Sequence, residues 1–164
     1  MTLERIDSRD IGEVMAIIED ARTFQLSYGN KQWATGYPSE ELISSDAKNG
    51  IGYKVLIDGK IAGYLAIVDY DSAYDEIDGA WMTDGKYIAL HRIAFSSSFR
   101  GKGLFPALIN GCMPIAESRD ALSIRIDTDR SNMIMQHLLP KLGFRHTGYV
   151  LFEGDRKLAY ELVL

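Results

Sequence analysis

Two cations and two glycines alternate at Arg100-Gly101-Lys102-Gly103, ahead of Leu104-Phe105, and no other set in the chain is better suited to holding an anion. Residues 89–95, just before it, form a short and mostly apolar run that reads as a buried strand. Ser96, Ser97 and Ser98 break that run. Leu104, Ala107, Leu108, Gly111 and Ile115 then recur at helical spacing. The first turn of a helix leaves backbone N–H groups unpaired and carries partial positive charge. Gly101 and Gly103 remove side chains there, so a diphosphate can come close, and Arg100 and Lys102 add charge at the same place. The chemistry implied is a pyrophosphate cradle. It is not a P-loop, because G-x-x-x-x-G-K-[ST] is missing, and Pro106 stands where a dinucleotide fingerprint would need its third glycine.

The hexapeptide from Arg100 to Phe105 resembles the acyl-CoA loop of the GNAT N-acetyltransferases, [QR]-x-x-G-x-[GA] after a strand, with Phe105 replacing the final small residue. Downstream, residues 122–127 (LSIRID) read as a second strand. Residues 132–144 (NMIMQHLLPKLGF) are similar to the second GNAT signature, an Asn opening a helix that ends in Lys-x-Gly-Phe. Order and separation both match. The resemblance is close over residues 87–164 and rests on pattern alone before that. It implies an α/β chain with the GNAT acyl-CoA N-acyltransferase fold, a central mixed sheet flanked by helices, as a single domain over residues 1–164.

The same resemblance implies a reaction: acetyl-CoA as co-substrate, no metal, and direct attack by a primary amine of a small molecule or terminus. Positioning of two reactants can supply ~7–11 kcal/mol of barrier lowering. The acyl and pantetheine contacts then fall on the backbone of Ile93, Ala94 and Phe95, and the diphosphate contacts on Arg100, Gly101, Lys102, Gly103, Leu104 and Phe105. Asn132 is either a CoA contact or a helix N-cap. His91 is the candidate base. Some arylalkylamine-acetylating members carry a histidine at this strand position, and imidazole, with an unperturbed pKa near ~6.5, suits proton transfer near neutrality. Strand alternation would put His91, Ile93 and Phe95 on one face. Asp127 is a partner for His91 or a ligand of the acceptor ammonium. Many members carry a Tyr seven residues after the signature Asn as the acid toward sulfur; here that position is Leu139, leaving Tyr149 or water for the role.

The preceding elements must present this site. Residues 3–6 read as a strand, and Asp7 or Ser8 as the cap of a helix whose face is Ile11, Val14, Met15 and Ile18. Helical period fails over residues 25–38, where Tyr28, Trp33 and Tyr37 sit among Gly29, Gly36 and Pro38. By the resemblance, Trp33 and Tyr37 line the acceptor pocket; otherwise they pack helices onto the sheet. Ser39 caps a second helix through Ala47, and Asn49-Gly50 closes it. Residues 52–57 and 60–70 flank Asp58-Gly59, a type I′ hairpin signal, and Gly63 marks a bulge or a close approach. Residues 69–84 gather Asp69, Asp71, Asp75, Glu76, Asp78 and Asp84 with Tyr70, Tyr74 and Trp81. That run is either a solvated loop or an acidic wall suited to a cationic amine. Residues 89–127 form a βαβ unit with parallel strands, in which Pro114 predicts a kink or early helix end. Residues 144–152 and 157–164 make a final hairpin around Glu153-Gly154-Asp155.

At 164 residues, 46% apolar and 25% charged, the chain has the composition of a globular domain. A net charge of −5 argues against a broad nucleic-acid surface. Cys112 is the lone cysteine, sits in an apolar helical pattern, and fits a reducing cytoplasm. No leader or membrane-spanning run is read, so a cytoplasmic chain with a small-molecule amine acceptor is expected, with a homodimer left open. Phe105 and Leu139 motivate a second reading, an acyl-CoA-binding regulator with a GNAT fold and little or no transferase activity. A nucleotide-binding enzyme using the same turn is the third, opposed by Pro106.

Overall fold

A computed structural model describes residues 1–152 and 154–164. β1 (Thr2–Arg5) leads to α1 (Ile11–Ser27) and α2 (Glu40–Lys48), then β2 (Gly52–Ile57) and β3 (Lys60–Val68). A 3₁₀ turn at Ser72–Tyr74 and the short β4 (Asp78–Gly79) precede β5 (Tyr87–Phe95). The second half holds α3 (Phe105–Ser118), β6 (Ser123–Thr128), α4 (Met133–Lys141), β7 (Arg145–Phe152) and β8 (Asp155–Val163). Among the described residues these strands form one mixed eight-stranded sheet in the order β1-β2-β3-β5-β6-β8-β7-β4. β5 and β6 are parallel, as the βαβ reading expects, and the other pairs are antiparallel.

Local signals explain most boundaries. Asp58 (φ 49°) and Gly59 (φ 74°) make the left-handed pair that a type I′ hairpin needs. Ser39 accepts the N–H of Leu42 and caps α2. The cap of α1, expected at Asp7 or Ser8, instead falls at Asp10, without a side-chain cap bond. The Asp10 carboxylate accepts the N–H of Asp7 and pairs with Lys54 at 3.0 Å, which ties the helix start to β2. α1 also runs past the expected break at Gln25, and stops only before Gly29 (φ 85°). Pro114 does not end α3. It forfeits only the bond to the carbonyl of exposed Asn110, and the helix continues to Ser118. The hairpin turn expected at Glu153-Gly154-Asp155 includes Glu153, which lies outside the described residues; its strands pair from Arg145 with Glu161 to Phe152 with Asp155.

The core divides by sheet face. α3 and α4 bury Phe105, Leu108, Ile109, Cys112, Ala116 and Leu139 against Val55, Leu65, Ile88, Leu90 and Ile124. α1 and α2 bury Val14, Ile17, Ile18 and Ile43 on Tyr64 and Ala94, and Trp33 joins them. Tyr74 packs on Tyr87, Ala89, Val150 and Ala159. Burial pushes the Cys112 thiol up to about 12, so it is an inert core group.

β5 breaks its own alternation. Ile88 and Leu90 face the α3 side, but so do Ile93 and Phe95, so the parity changes between them. The cause is a bulge against β3 between the Ala66–His91 and Tyr64–Ala94 pairs, with Arg92 in the left-handed region at φ 56°. His91 therefore does not share a face with Ile93 and Phe95, as simple alternation had it. It sits with Tyr87 and Ala89, under residues 69–84. Gly63 pairs with Phe95 just past this irregularity, where a Cβ would come within 2.5 Å of the Ala94 carbonyl oxygen. The expected close approach is real.

The acidic run over residues 69–84 is not a solvated loop throughout. Tyr74 is buried, Trp81 donates its indole N–H to the Tyr74 carbonyl at 2.9 Å, and β4 pairs with β7. A buried cation holds the far end: Arg125 on β6 lies between the rings of Trp81 and Tyr87, at 4.3 and 4.1 Å from their centroids. It donates to Glu161 at 3.1 Å and to the Thr83 carbonyl at 2.8 Å. Burial works to raise the Glu161 carboxyl, but bonds from Ser123, Thr83 and the Met82 N–H, with the Arg125 charge, outweigh it and hold it below its usual range. Removing one partner of a buried pair costs roughly 3–5 kcal/mol. Glu161→Ala is expected to lower the unfolding free energy by that order, read from denaturant titration, and to make residues 69–84 the first site of limited proteolysis; an unchanged unfolding free energy would show that the pair does not hold the segment.

Candidate active site

β5 and β6 part company beyond Ala89. They pair through Tyr87–Ser123, Ile88–Ile124 and Ala89–Arg125, after which β5 continues to Phe95 and β6 to Thr128 with no further pairing between them. The splayed edges open a cleft between Leu90, His91, Arg92 and Ile93 on one side and Ile126, Asp127 and Thr128 on the other. Trp33 and Tyr37 line it from the segment between α1 and α2, Asn132 and Met135 from α4, and Lys157 from β8. Of the residues singled out in the sequence, His91, Ile93, Asp127, Asn132, Trp33 and Tyr37 are thus brought together. Ala94 and Phe95 are not on its lining: Ala94 packs on the α1 side and Phe95 on the α3 side, which leaves their backbone as the part able to meet a ligand.

His91 lies between two carboxylates. Its Nε2 is 3.1 Å from Asp71 Oδ2, and its Nδ1 is 3.6 Å from Asp127 Oδ1. His91 beside it holds the Asp71 carboxyl below its usual range, helped by the Ala73 N–H. The Tyr74 hydroxyl donates to Asp127 Oδ1 at 2.8 Å. Burial, with Asp127 alongside, keeps that hydroxyl well above its ordinary pKa, so it stays a donor. Asp71 and Tyr74 were hidden in the sequence because an acidic run carries no period that would attach them to β5.

The bulge residue is locked in place. Arg92 makes a two-pronged contact with Asp46 of α2, Nε–Oδ2 at 2.9 Å and Nη2–Oδ1 at 3.0 Å, and its Nη1 donates to the Tyr37 hydroxyl at 3.2 Å. The Tyr64 hydroxyl donates to the same carboxylate at 2.5 Å. Although burial opposes its charge, the Tyr37 and Asp46 contacts raise the Arg92 pKa further above its ordinary value. Tyr37 is thus fixed by Arg92, and by Arg22, whose guanidinium donates to the carbonyls of Gly36, Tyr37 and Pro38. Trp33 is 4% exposed, so the packing reading and the lining reading both describe it.

Asn132 caps α4 by accepting the Met135 N–H at 3.3 Å and donates to Gln32 at 3.2 Å, with the Tyr28 hydroxyl at 3.4 Å from its oxygen. Most of its amide is thereby engaged within the protein. Tyr149 lies on β7, stacked beneath Arg156 and Arg130, and does not line the cleft. Leu139 is fully buried in the α3-side core.

The loop that follows β5 has the form of a cradle. Gly101 (φ 75°) and Gly103 (φ 68°) are both left-handed, and nothing stands within 4 Å of where a Cβ would be. The N–H groups of Gly101, Lys102, Gly103, Leu104, Phe105 and Ala107 donate to nothing among the described residues, and α3 has no side-chain cap. Phe105 turns inward, 7% exposed, so the large residue at the small-residue position fills core rather than the cradle. Arg100 does not add its charge there. Its guanidinium is taken by Asp20 at 2.5 Å, the Phe95 carbonyl at 3.2 Å and the ring of Phe24. Lys102 remains exposed over Phe99. A row of free N–H groups is the donor set a diphosphate requires.

This fold and this loop place the chain in the acetyltransferase (GNAT) family, whose model matches residues 16–144. A GNAT-family acetyltransferase from Streptococcus agalactiae is 34% identical, with a TM-score of 0.89 over 99% of this chain and 95% of that one. More distant structures share the fold. The aminoglycoside acetyltransferase AAC(6′)-Ib, in complex with coenzyme A and kanamycin, is 17% identical with a TM-score of 0.71, over 99% of this chain and 94% of that one. The PaiA N-acetyltransferase from Thermoplasma acidophilum, in complex with coenzyme A, is 12% identical with a TM-score of 0.73 over the whole of both chains. The comparison with curated proteins gives no match. Among the described residues, no group of three or more His, Cys, Asp or Glu is placed to hold a metal ion, and no helix is long and apolar enough to cross a membrane.

Lys157 closes the cleft with a pair to Asp129 at 2.7 Å. Burial works to raise the Asp129 carboxyl, but Lys157 and Ser131 together lower it to about 2. A carboxyl depressed in the folded state stabilises the fold above its unfolded pKa of ~3.9, and that stability is lost as pH falls toward the folded value. Lys157→Met is expected to flatten the loss of thermal stability between about pH 4 and 2, relative to the parent chain; identical pH profiles would mean that the pair is not formed.

Proposed function

We propose that the chain is an acetyl-CoA-dependent N-acetyltransferase, one GNAT domain over residues 1–164, acting on the primary amine of a small molecule or terminus. The observation that carries this reading is the cleft itself: free backbone donors follow β5 directly, and an imidazole between two carboxylates lies inside. Coenzyme A bound to two fold relatives, and kanamycin bound to one of them, support the choice of co-substrate and of an amine acceptor.

Acetyl-CoA would supply the thioester carbonyl. The loop N–H groups from Gly101 to Phe105, with Lys102, would hold its diphosphate, and the unpaired edge of β5 from Leu90 to Phe95 would run along its pantetheine arm. Trp33 and Tyr37 would confine the acceptor, and Asp127 would meet its ammonium. His91 takes one proton from the ammonium; the nitrogen forms its bond to the acetyl carbon as the C–S bond breaks, its second excess proton passes to water, and the sulfur leaves as thiolate. Leu139 offers no proton and Tyr149 lies outside the cleft, so the thiolate is protonated by water. Phe105 and Leu139, the two residues behind the regulator reading, are both core groups, and neither obstructs the cleft.

The first test is thermal stability with acetyl-CoA, CoA, NAD and ATP. A ligand at about 100 times its dissociation constant stabilises the native state by roughly 2.7 kcal/mol. Both CoA species should raise the midpoint, and NAD and ATP should not; Gly103→Asp, which sets a carboxylate among the donors, should abolish the CoA response while keeping the parent fold. A flat response to CoA overturns the cradle. With a panel of an aminoglycoside, a polyamine, an arylalkylamine and a peptide N-terminus, turnover by the parent and its loss in His91→Ala, with acetyl-CoA binding kept, are the expected results. CoA binding without acetylation of any panel amine favours the regulator.

A further inference from the structure

We propose that Asp71 is a positioning residue for His91, holding the neutral imidazole with its proton on Nε2 so that unprotonated Nδ1 faces the cleft as the accepting atom. The proposal rests on the assignment of proton transfer to His91 made above. Asp71 lies outside the cleft lining, whereas His91 and Asp127 are part of it, so the two carboxylates flank the ring from different sides.

Nε2 is buried, and its one close polar neighbour is Asp71 Oδ2 at 3.1 Å, off the axis of an aligned hydrogen bond. A bare lone pair pressed on a carboxylate at that distance, away from water, sets negative charge against negative charge; an N–H there turns the contact into attraction. The proton of the neutral ring therefore belongs on Nε2. Asp71 is well anchored for this task. Its Oδ1 accepts the Ala73 N–H at 2.9 Å, and its own N–H donates to the Tyr87 hydroxyl at 2.9 Å.

Opposite, Nδ1 and Asp127 Oδ1 are 3.6 Å apart, beyond hydrogen-bond range, so neither satisfies the other. A nitrogen carrying several hydrogens can reach both from between them. An acceptor amine placed there gives one proton to Nδ1 while it keeps its contact with Asp127. The 3₁₀ turn capped by Asp71 also carries Tyr74, whose hydroxyl fixes Asp127 Oδ1 at 2.8 Å. One short segment thus sets both carboxylates around the imidazole.

The decisive measurement is the two-bond ¹H–¹⁵N spectrum of the full chain without ligand, with His91 assigned by comparison with His91→Gln. The neutral ring is expected as the Nε2–H tautomer in the parent. In Asp71→Asn, which keeps an oxygen for the Ala73 N–H and turns an amide donor toward the ring, it should shift to Nδ1–H. Turnover of the panel amine acetylated fastest should then fall by at least about tenfold in kcat, with KM for acetyl-CoA unchanged, and Asp71→Glu should recover part of it. An Nδ1–H tautomer in the parent, or an Asp71→Asn chain with parental tautomer and kcat, overturns the proposal. If His91→Gln turns over normally, the base assignment fails instead, whichever tautomer is seen.

Discussion

A bulge in the central strand is the constraint from which the site follows. Arg92 stands in a left-handed conformation that a non-glycine residue adopts at a cost of order 1–3 kcal/mol. The neighbours compensate for that cost. Asp46 grips the guanidinium with two bonds, Tyr64 and Tyr37 complete the group, and Gly63 leaves room for the neighbouring strand. Without the bulge, the side chains at 91 and 93 would share a face, and Ile93 and Phe95 would leave the α3-side core for the face that carries Tyr87, Ala89 and His91. With it, Ile93 and Phe95 keep that core closed while His91 turns toward Tyr74 and the two carboxylates. The same irregularity sits where β5 has already lost its pairing with β6, so the backbone edge and the imidazole serve one opening.

Polar clamps then hold the walls. Asp20 joins α1 to the cradle through the Ser97 N–H and Arg100; Gln32 and Asn30 join the aromatic segment to α4 through Asn132 and Ser131; Arg125 and Glu161 pin residues 69–84. Each clamp joins elements distant in sequence, and all of these bonds but the exposed one from Ser97 to Asp20 are at least partly shielded from water, where such bonds are stronger. The mobile part of a transferase site is commonly its loops. Here the loops around the cleft are tied to regular elements on both sides.

Glycine, proline and period made the backbone of this chain legible from sequence. The hairpin at Asp58-Gly59, the cap at Ser39, the strand–loop–helix around Gly101 and Gly103, and the helix opened by Asn132 all follow from local chemistry acting over a few residues. The gathering of His91, Asp127, Trp33, Tyr37 and Asn132 in one cleft does not follow from local chemistry; only the family resemblance implied it. The missed features are those decided by contacts across the sheet. Asp71 and Tyr74 lie in a run whose composition suits solvent, and their partners, His91 on β5 and Asp127 on β6, are met only across the sheet. Asp46 shows one acid on a polar helix, with no local mark of its pairing to Arg92. Arg100 looked free to serve the loop because Asp20, its partner, lies on a helix in the other half of the chain. Alternation, a dependable guide in a regular strand, fails at a single left-handed residue.

Phe105 has a role that a small residue at the same position lacks. Its ring joins the hydrophobic core with Leu108 and Ile109, while its own N–H belongs to the open row of donors. The anion loop is therefore an outgrowth of the packing beneath it rather than a separate flexible flap. Stiffness passes through one residue: a well-filled interior preorganises the donors. In this chain the open row of donors and the α3 core form one mechanical unit, so a substitution that loosens the packing under Phe105 reaches the loop as well.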